Sequence, residues 1–397
     1  MHVLSKASRL ATVLAVFFIA GCGGGGSSST PATNTPATFS KDVLYSFATG
    51  SDGQNPAAGL IMDGSGNLYG TTYNGGTNGV GTVFKITPTG TESVLYSFGT
   101  GLDGQAPYAG LIMDVSGNLY GTTPSGGTNG VGTVFKINPA GTESVLYSFG
   151  TGSDGQNPNA GLIMDLSGNL YGTTYNGGTN GTTSYGTVFK ITAAGAESVL
   201  HSFGTGSDGM APAAGLFMDG SGNLYGTTVN GGTHGYGTVF TITAAGSESV
   251  LYSFGTASGD GQYPHAGLIM DGSGNLYGTT PSGGTIGVGT VFKITPTGTE
   301  SLLHSFGTGS DGQAPSAGLI MDLSGNLYGT TSVGGTNGFG TVFKISAAGT
   351  ESVLYSFATG LDGRNPVAGL IMDVSGNLYG TTELGGTNGV GTVFKIN

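Results

Sequence analysis

The chain repeats itself, and the period decides what it can become. Seven Asp-Gly steps begin at Asp52, Asp103, Asp154, Asp208, Asp260, Asp311 and Asp362, spaced 51, 51, 54, 52, 51 and 51 residues apart. Tandem units of about 50 residues point to a radial or solenoid array, in which each unit buries its apolar face only against its neighbours. The two longer spacings come from three extra residues within 181–185 and one within 256–260, in loops, where insertions are tolerated.

Each unit holds four short runs with strand character, in the first unit residues 43–47, 59–63, 67–72 and 81–86. They are rich in Val, Ile, Phe, Tyr and Thr and bounded by Gly, Pro, Asn, Asp or Ser. Gly and Pro make up 96 of the 397 residues, which excludes a mostly helical protein. Leu60-Ile61-Met62 is apolar at consecutive positions, the mark of a strand buried on both faces and thus the innermost. Turns at 64–66 and 87–90 join the runs into two hairpins, and two hairpins make a four-stranded antiparallel sheet. The expectation is an all-β, seven-bladed β-propeller of 28 strands. Counting from inner strand A to outer strand D, the chain starts with a D strand and stops after a C strand at 391–396. The ring is therefore predicted to close by pairing the N-terminal strand with the last blade.

Charged residues are 8% and hydrophobic residues 37%, so the chain is not a solvated disordered polymer. A net charge of -12 argues against nucleic acid as a partner. With one Cys, neither an internal disulfide nor a cysteine-rich zinc site can form. That Cys follows Lys6, Arg9 and an apolar run at 10–20, shorter than the ~20 residues of a membrane span, so the segment reads as a secretory signal. Ile19-Ala20-Gly21-Cys22 resembles the lipobox of bacterial lipoproteins, which implies cleavage before Cys22 and its lipidation. Gly23, rather than Asp, after the Cys favours the outer membrane by the same resemblance. The expected organisation is a signal peptide at 1–21, the lipidated Cys22 with a flexible Gly/Ser/Thr/Pro tether at 22–40, and the propeller at 41–397. A cell-envelope location follows.

Asn67-Leu68-Tyr69-Gly70-Thr71-Thr72, Gly75-Gly76 and Gly81-Thr82-Val83-Phe84-Lys85-Ile86 recur in all seven units, departed from mainly at Thr241, where the others have Lys. These blocks resemble the GloVer tandem repeat of bacterial surface proteins. The resemblance covers 41–397 and implies surface location, with no biochemical activity attached. Residues 60–69 are also similar to the inner hairpin of NHL-type propellers, which bears on fold alone.

The seven Asp of the marker lie in D-to-A loops, which share a face with the B-to-C loops, so they are weighed as an acidic ring at the channel mouth and a calcium site. Calcium takes six to eight oxygens, and each Asp capping its own turn is the favoured reading. Asp63-Gly64-Ser65-Gly66-Asn67 lacks the Gly and Glu of a calcium loop and reads as turn chemistry. Met62 and its counterparts read as core, Lys85 and Glu92 as cross-strand charge partners, and His201 and His304 as structural replacements of Tyr. No cofactor or metal is expected. His234, Tyr236, Tyr263 and His265 fall in loops expected to share one sector and are the candidate ligand-binding residues.

Differences between units concentrate at three loop positions: Ala57, Tyr108, Asn159, His265 and Val367; Tyr73, Pro124, Val229 and Glu383; Val80, Tyr185, Tyr236 and Phe339. The reading favoured is a monomeric, lipid-anchored, non-enzymatic module for a glycan, peptide or surface protein. Its rivals are a propeller lyase or hydrolase using His234 and His265, and a structural spacer.

Overall fold

The computed structural model describes residues 39–150, 152–179, 185–204 and 206–397; the signal segment, Cys22 and most of the tether lie outside the described residues. In the first blade strand A is Ile61–Met62, B is Leu68–Thr72, C is Thr82–Ile86 and D is Glu92–Ser97, hydrogen-bonded in the order A-B-C-D and antiparallel throughout. Seven such sheets recur, so the fold is a seven-bladed β-propeller. The seventh blade takes its D strand from the N-terminus. Lys41–Ser46 pairs with Thr392–Ile396 in a register running from Lys41 with Ile396 to Ser46 with Thr392. Both sheet edges that the chain ends would expose are thereby paired.

Strand A is two residues long, shorter than the run 59–63. Gly59, Gly110, Gly161, Gly215, Gly267, Gly318 and Gly369 form a closed ring about the axis, each facing the backbone of the one before. A Cβ on Gly110 would stand 3.2 Å from the Gly59 carbonyl oxygen, so only hydrogen fits comfortably there. A second ring lies beside it. The Thr71 hydroxyl donates to the Ala109 carbonyl of the next blade at 3.0 Å, and the series closes with Thr381 donating to Ala58 at 3.1 Å.

The core is divided into seven, one per blade junction. Phe47 and Val393 of the closing blade pack with Leu60, Leu68, Phe84 and Ile86 of the first, all buried, and the Phe47 and Phe84 rings meet edge-on at 5.0 Å. Burial of each Phe contributes about 2–3 kcal/mol. Met62 packs against the same cluster.

A feature absent from the sequence reading stiffens the loop-rich face. Gly53–Gln54 of the D-to-A loop pairs with Asn74–Gly75 of the B-to-C loop, and five blades carry such a two-stranded ladder. In the other two, single bridges join Gln156 to Asn176 and Arg364 to Leu384.

Candidate functional site

The D-to-A loop enters each blade through a strained residue. Asn55, Ala106, Asn157, Ala211, Tyr263, Ala314 and Asn365 all have φ between 53° and 58°, the left-handed region, although none is glycine and each precedes a proline. Hydrogen bonds from two blades hold the conformation: the Asn55 amide donates to Val390 of the seventh blade at 2.8 Å and its carbonyl accepts from Tyr73 of the first at 3.2 Å. The proline that follows then aims the next side chain at the axis.

Those next residues are Ala57, Tyr108, Asn159, Ala213, His265, Ser316 and Val367, one per unit, and they meet around a cavity of about 680 Å³. Tyr73, Pro124, Ser125, Tyr175 and Pro281 of the B-to-C loops complete its wall. The first of the three positions at which the units differ thus converges on one mouth, and the second contributes Tyr73 and Pro124 but not Val229 or Glu383. The third does not: Val80, Tyr185, Tyr236 and Phe339 pack against blade-junction cores.

The mouth is aromatic and polar on one side. Tyr73 and Tyr108 meet edge-on at 6.0 Å, and burial first, then the Glu383 carboxylate and Tyr73, push the Tyr108 phenol up from its ordinary pKa. His265 Nδ1 lies 2.6 Å from the Tyr263 carbonyl, which has no proton to give, so Nδ1–H donates and Nε2 is left as an acceptor. Burial lowers the His265 pKa despite that bond, which keeps the ring neutral at pH 7.

Of the four candidate residues, His265 alone lines the cavity. Tyr236 and Tyr263 meet edge-on at 5.5 Å and do not line it. His234 is on the outer side, its Cβ 3.3 Å from where Gly255 would carry its own, past the end of a D strand. It occupies the place of Asn78, whose amide holds the Phe98 carbonyl at 3.0 Å, because this loop tip folds back over strand D rather than toward the axis. His234 and His265 therefore do not form one cluster.

Nor does the acidic ring form at the mouth, since Asp52, Asp103, Asp154, Asp208, Asp260, Asp311 and Asp362 all turn toward the outer strand. Asp52 accepts from the Tyr45 hydroxyl of strand D at 2.8 Å and from the amides of Ala48 and Gly53 at 2.7 Å each. Counterparts such as Asp103 and Asp311 repeat the pattern, with His304 in place of Tyr at the latter. Turn capping holds these carboxylates at the outer strand and away from the mouth. Asp63 is likewise filled by the amides of Ser65 and Asn67, the Asn67 side chain and the Tyr69 hydroxyl. Burial alone raises its pKa, but these donors outweigh that and hold it below the usual carboxylate range.

The cross-strand pairing of Lys85 with Glu92 is corrected: Lys85 is opposite Ser93 and its ammonium sits over the Tyr69 ring at 5.7 Å. Glu92 reaches instead into the blade junction toward Asp52. Burial first, then that aspartate, push its pKa up to about 7.

The repeat model described as Gloeobacter/Verrucomicrobia repeat matches residues 23–184 and 179–394. No curated protein matches the chain. Among solved structures, virginiamycin B lyase from Staphylococcus aureus is similar over 90% of this chain and 99% of its own, with TM-score 0.60 and 13% identity. The extracellular domains of the two-component systems BT4673 and BT3049 of Bacteroides thetaiotaomicron align over 89% and 92% of this chain, with TM-scores 0.60 and 0.56 and identities 12% and 14%. The chain spans about two-fifths of those two chains, 39% and 41%. At such identities the likeness concerns the propeller fold alone.

Proposed function

The chain belongs to the Gloeobacter/Verrucomicrobia repeat family, and from that premise and the geometry of the mouth we propose that it is an envelope-anchored binding module for a neutral glycan. The observation that carries the reading is convergence. Units whose strands are nearly identical differ at the D-to-A residue that each contributes to one cavity of about 680 Å³, which residues of the adjoining B-to-C loops complete. A rigid scaffold with varied loops is a common arrangement for recognition, and a mouth of this volume suits a small ligand.

Tyr73, Tyr108 and Tyr175 offer amphipathic ring faces, while Asn159, Ser125, Ser316 and His265 offer donors and acceptors, a combination that favours a hydroxyl-rich ligand without charge. An extended peptide would bind by adding to a sheet edge, and the loop strands at this face are already paired with each other. An anionic ligand would meet the net charge of -12 and Glu383.

Lyase or hydrolase chemistry would draw on the neutral His265 with its free Nε2 as base. No Asp or Glu stands beside it among the described lining residues, which favours binding over turnover. Lipidation at Cys22 fits the same reading. The chain enters the propeller at Lys41, paired with Ile396 at the face of the C-to-D turns, opposite the mouth.

The test is a glycan array with the purified protein, beside Tyr108→Ala and His265→Ala. Binding lost in both variants and kept in His234→Ala supports the mouth; binding equal in all sinks it.

A further inference from the structure

We propose that two of the seven blade junctions are transition-metal sites taking Zn²⁺ or a similar dication: His201, Asp208 and Glu248 at one, His304, Asp311 and Glu351 at the other. The ligand atoms of each trio all lie within 4.8 Å of one another. The His and Asp come from strand D and the loop after it in one blade, and the Glu opens strand D of the next.

The seven junctions are an internal comparison. In four of them the place of the histidine is held by Tyr45, Tyr96, Tyr147 or Tyr252, whose hydroxyl donates to the aspartate at 2.8–2.9 Å. Those are ordinary hydrogen bonds, and a phenol that keeps its proton is a poor metal ligand. His201 and His304 behave differently. Each Nε2 stands 3.3 Å from its aspartate Oδ2, longer than the ~2.7–2.9 Å of a charge-assisted bond. With metal bonds of ~2.0–2.1 Å, the edge of a ligand tetrahedron is about 3.3–3.4 Å, so this pair is already spaced as two ligands of one ion.

The glutamate is common to six junctions. Glu248 Oε1 and Glu351 Oε1 are buried and have no hydrogen-bond partner among the described residues, as are the same atoms of Glu92, Glu143, Glu197 and Glu300 at the tyrosine junctions, so the histidine is what sets these two junctions apart. A buried carboxylate oxygen without a donor calls for a cation or a proton. At the seventh junction a cation takes the place of the glutamate beside the aspartate. There Lys41 stands in the register position of the glutamate, and its ammonium lies 2.6 Å from Asp362 Oδ1 and 5.2–5.9 Å from the rings of Tyr355, Phe357 and Phe394.

The supporting groups are also in place. The Gly204 and Gly209 amides orient Asp208 at 2.8 Å each, and the Gly307 and Gly312 amides hold Asp311 at 2.6 and 2.7 Å, as outer hydrogen bonds commonly fix metal ligands. About one fifth of the His and Asp side-chain surface is exposed, 20–22%, which leaves an entry path and a position for water. One imidazole and two carboxylates suit a zinc-like ion; calcium, with six to eight oxygen ligands, does not fit three.

The experiment is calorimetric titration of chelator-treated protein with ZnCl₂, beside His201→Tyr, His304→Tyr and the double variant. Tyrosine is the residue this scaffold already carries at the other five junctions, so these variants keep the fold, and thermal melting without metal checks that. Two ions per chain are expected, one in each single variant and none in the double, with the visible spectrum of the Co²⁺ form lost in parallel. No saturable uptake by the parent protein, or uptake that survives the double variant, overturns the proposal.

Discussion

Replacing Lys41 by Met probes how the ring is locked. The Lys41 side chain is 2% exposed and Asp362 17%, with 2.6 Å between Nζ and Oδ1, so the change removes one partner of a buried pair and leaves the other charged. Burial lowers the Lys41 pKa and Asp362 opposes that, so desolvation already weighs on the pair. Breaking a buried pair from one side costs about 3–5 kcal/mol. Asp362 keeps the Tyr355 hydroxyl at 2.7 Å and the Ala358 amide at 2.5 Å, which places the expected loss at the lower end, about 3 kcal/mol. With a urea m-value of about 3 kcal/mol/M, the unfolding midpoint falls by about 1 M with the slope unchanged. The control is Lys293→Met, whose ammonium rests over the Tyr277 ring at 5.8 Å, with an expected cost of about 0.5–1 kcal/mol. Equal midpoints for Lys41→Met and the parent protein would refute the claim that this pair fastens the ends.

Glu92, Glu143, Glu197, Glu300 and Glu351 are pushed up to about 7 by burial and then by a neighbouring aspartate, so the folded state holds more protons than the unfolded between about pH 4.5 and 7. Stability therefore falls as pH rises through that window, by at most about 1.4 kcal/mol per unit for each glutamate and less with solvent screening. The lowered Asp63 and its counterparts act oppositely, losing their contribution below about pH 4. Melting temperature should peak near pH 5, and a flat profile from 5 to 8 would contradict the buried glutamates. At the axial ring, Gly110→Ala places a Cβ 3.2 Å from a carbonyl oxygen and should cost about 1–3 kcal/mol, whereas Gly59→Ala, at 3.6 Å, should be nearly neutral. Indistinguishable midpoints would discount the ring. Ala314→Asn puts the residue of three other units at a left-handed φ of 53° and should gain about 0.5–1 kcal/mol in urea unfolding; a loss would argue against strain there.

The architecture was legible because its determinants sit within one unit. Alternating runs, turn residues and the 51-residue step define four strands, and beginning on a D strand while ending on a C strand dictates the closure. What escaped depends on how neighbouring units are staggered. Glu92 is next to Ser93, across from Lys85, in any drawing of its own hairpin, yet its carboxylate faces Asp52, which precedes the whole blade. The same stagger brings His201 and His304, read as replacements of Tyr, within 4.8 Å of the next blade's glutamate. A signal was present: the closing strand carries Lys41 where six units have Glu. His265 and His234 looked equivalent because both fall in loops of one face. Proline after the strained Tyr263 aims the first at the axis, while the glycine-rich tip carries the second out over strand D.

The most direct test of the account is equilibrium binding of neutral oligosaccharides to the purified protein, compared with Tyr108→Ala, His265→Ala and the outward-facing His234→Ala. Saturable binding that falls at least tenfold in the first two and is unchanged in the third is the predicted result. Binding indifferent to Tyr108 and His265, or confined to acidic or peptide ligands, would contradict it.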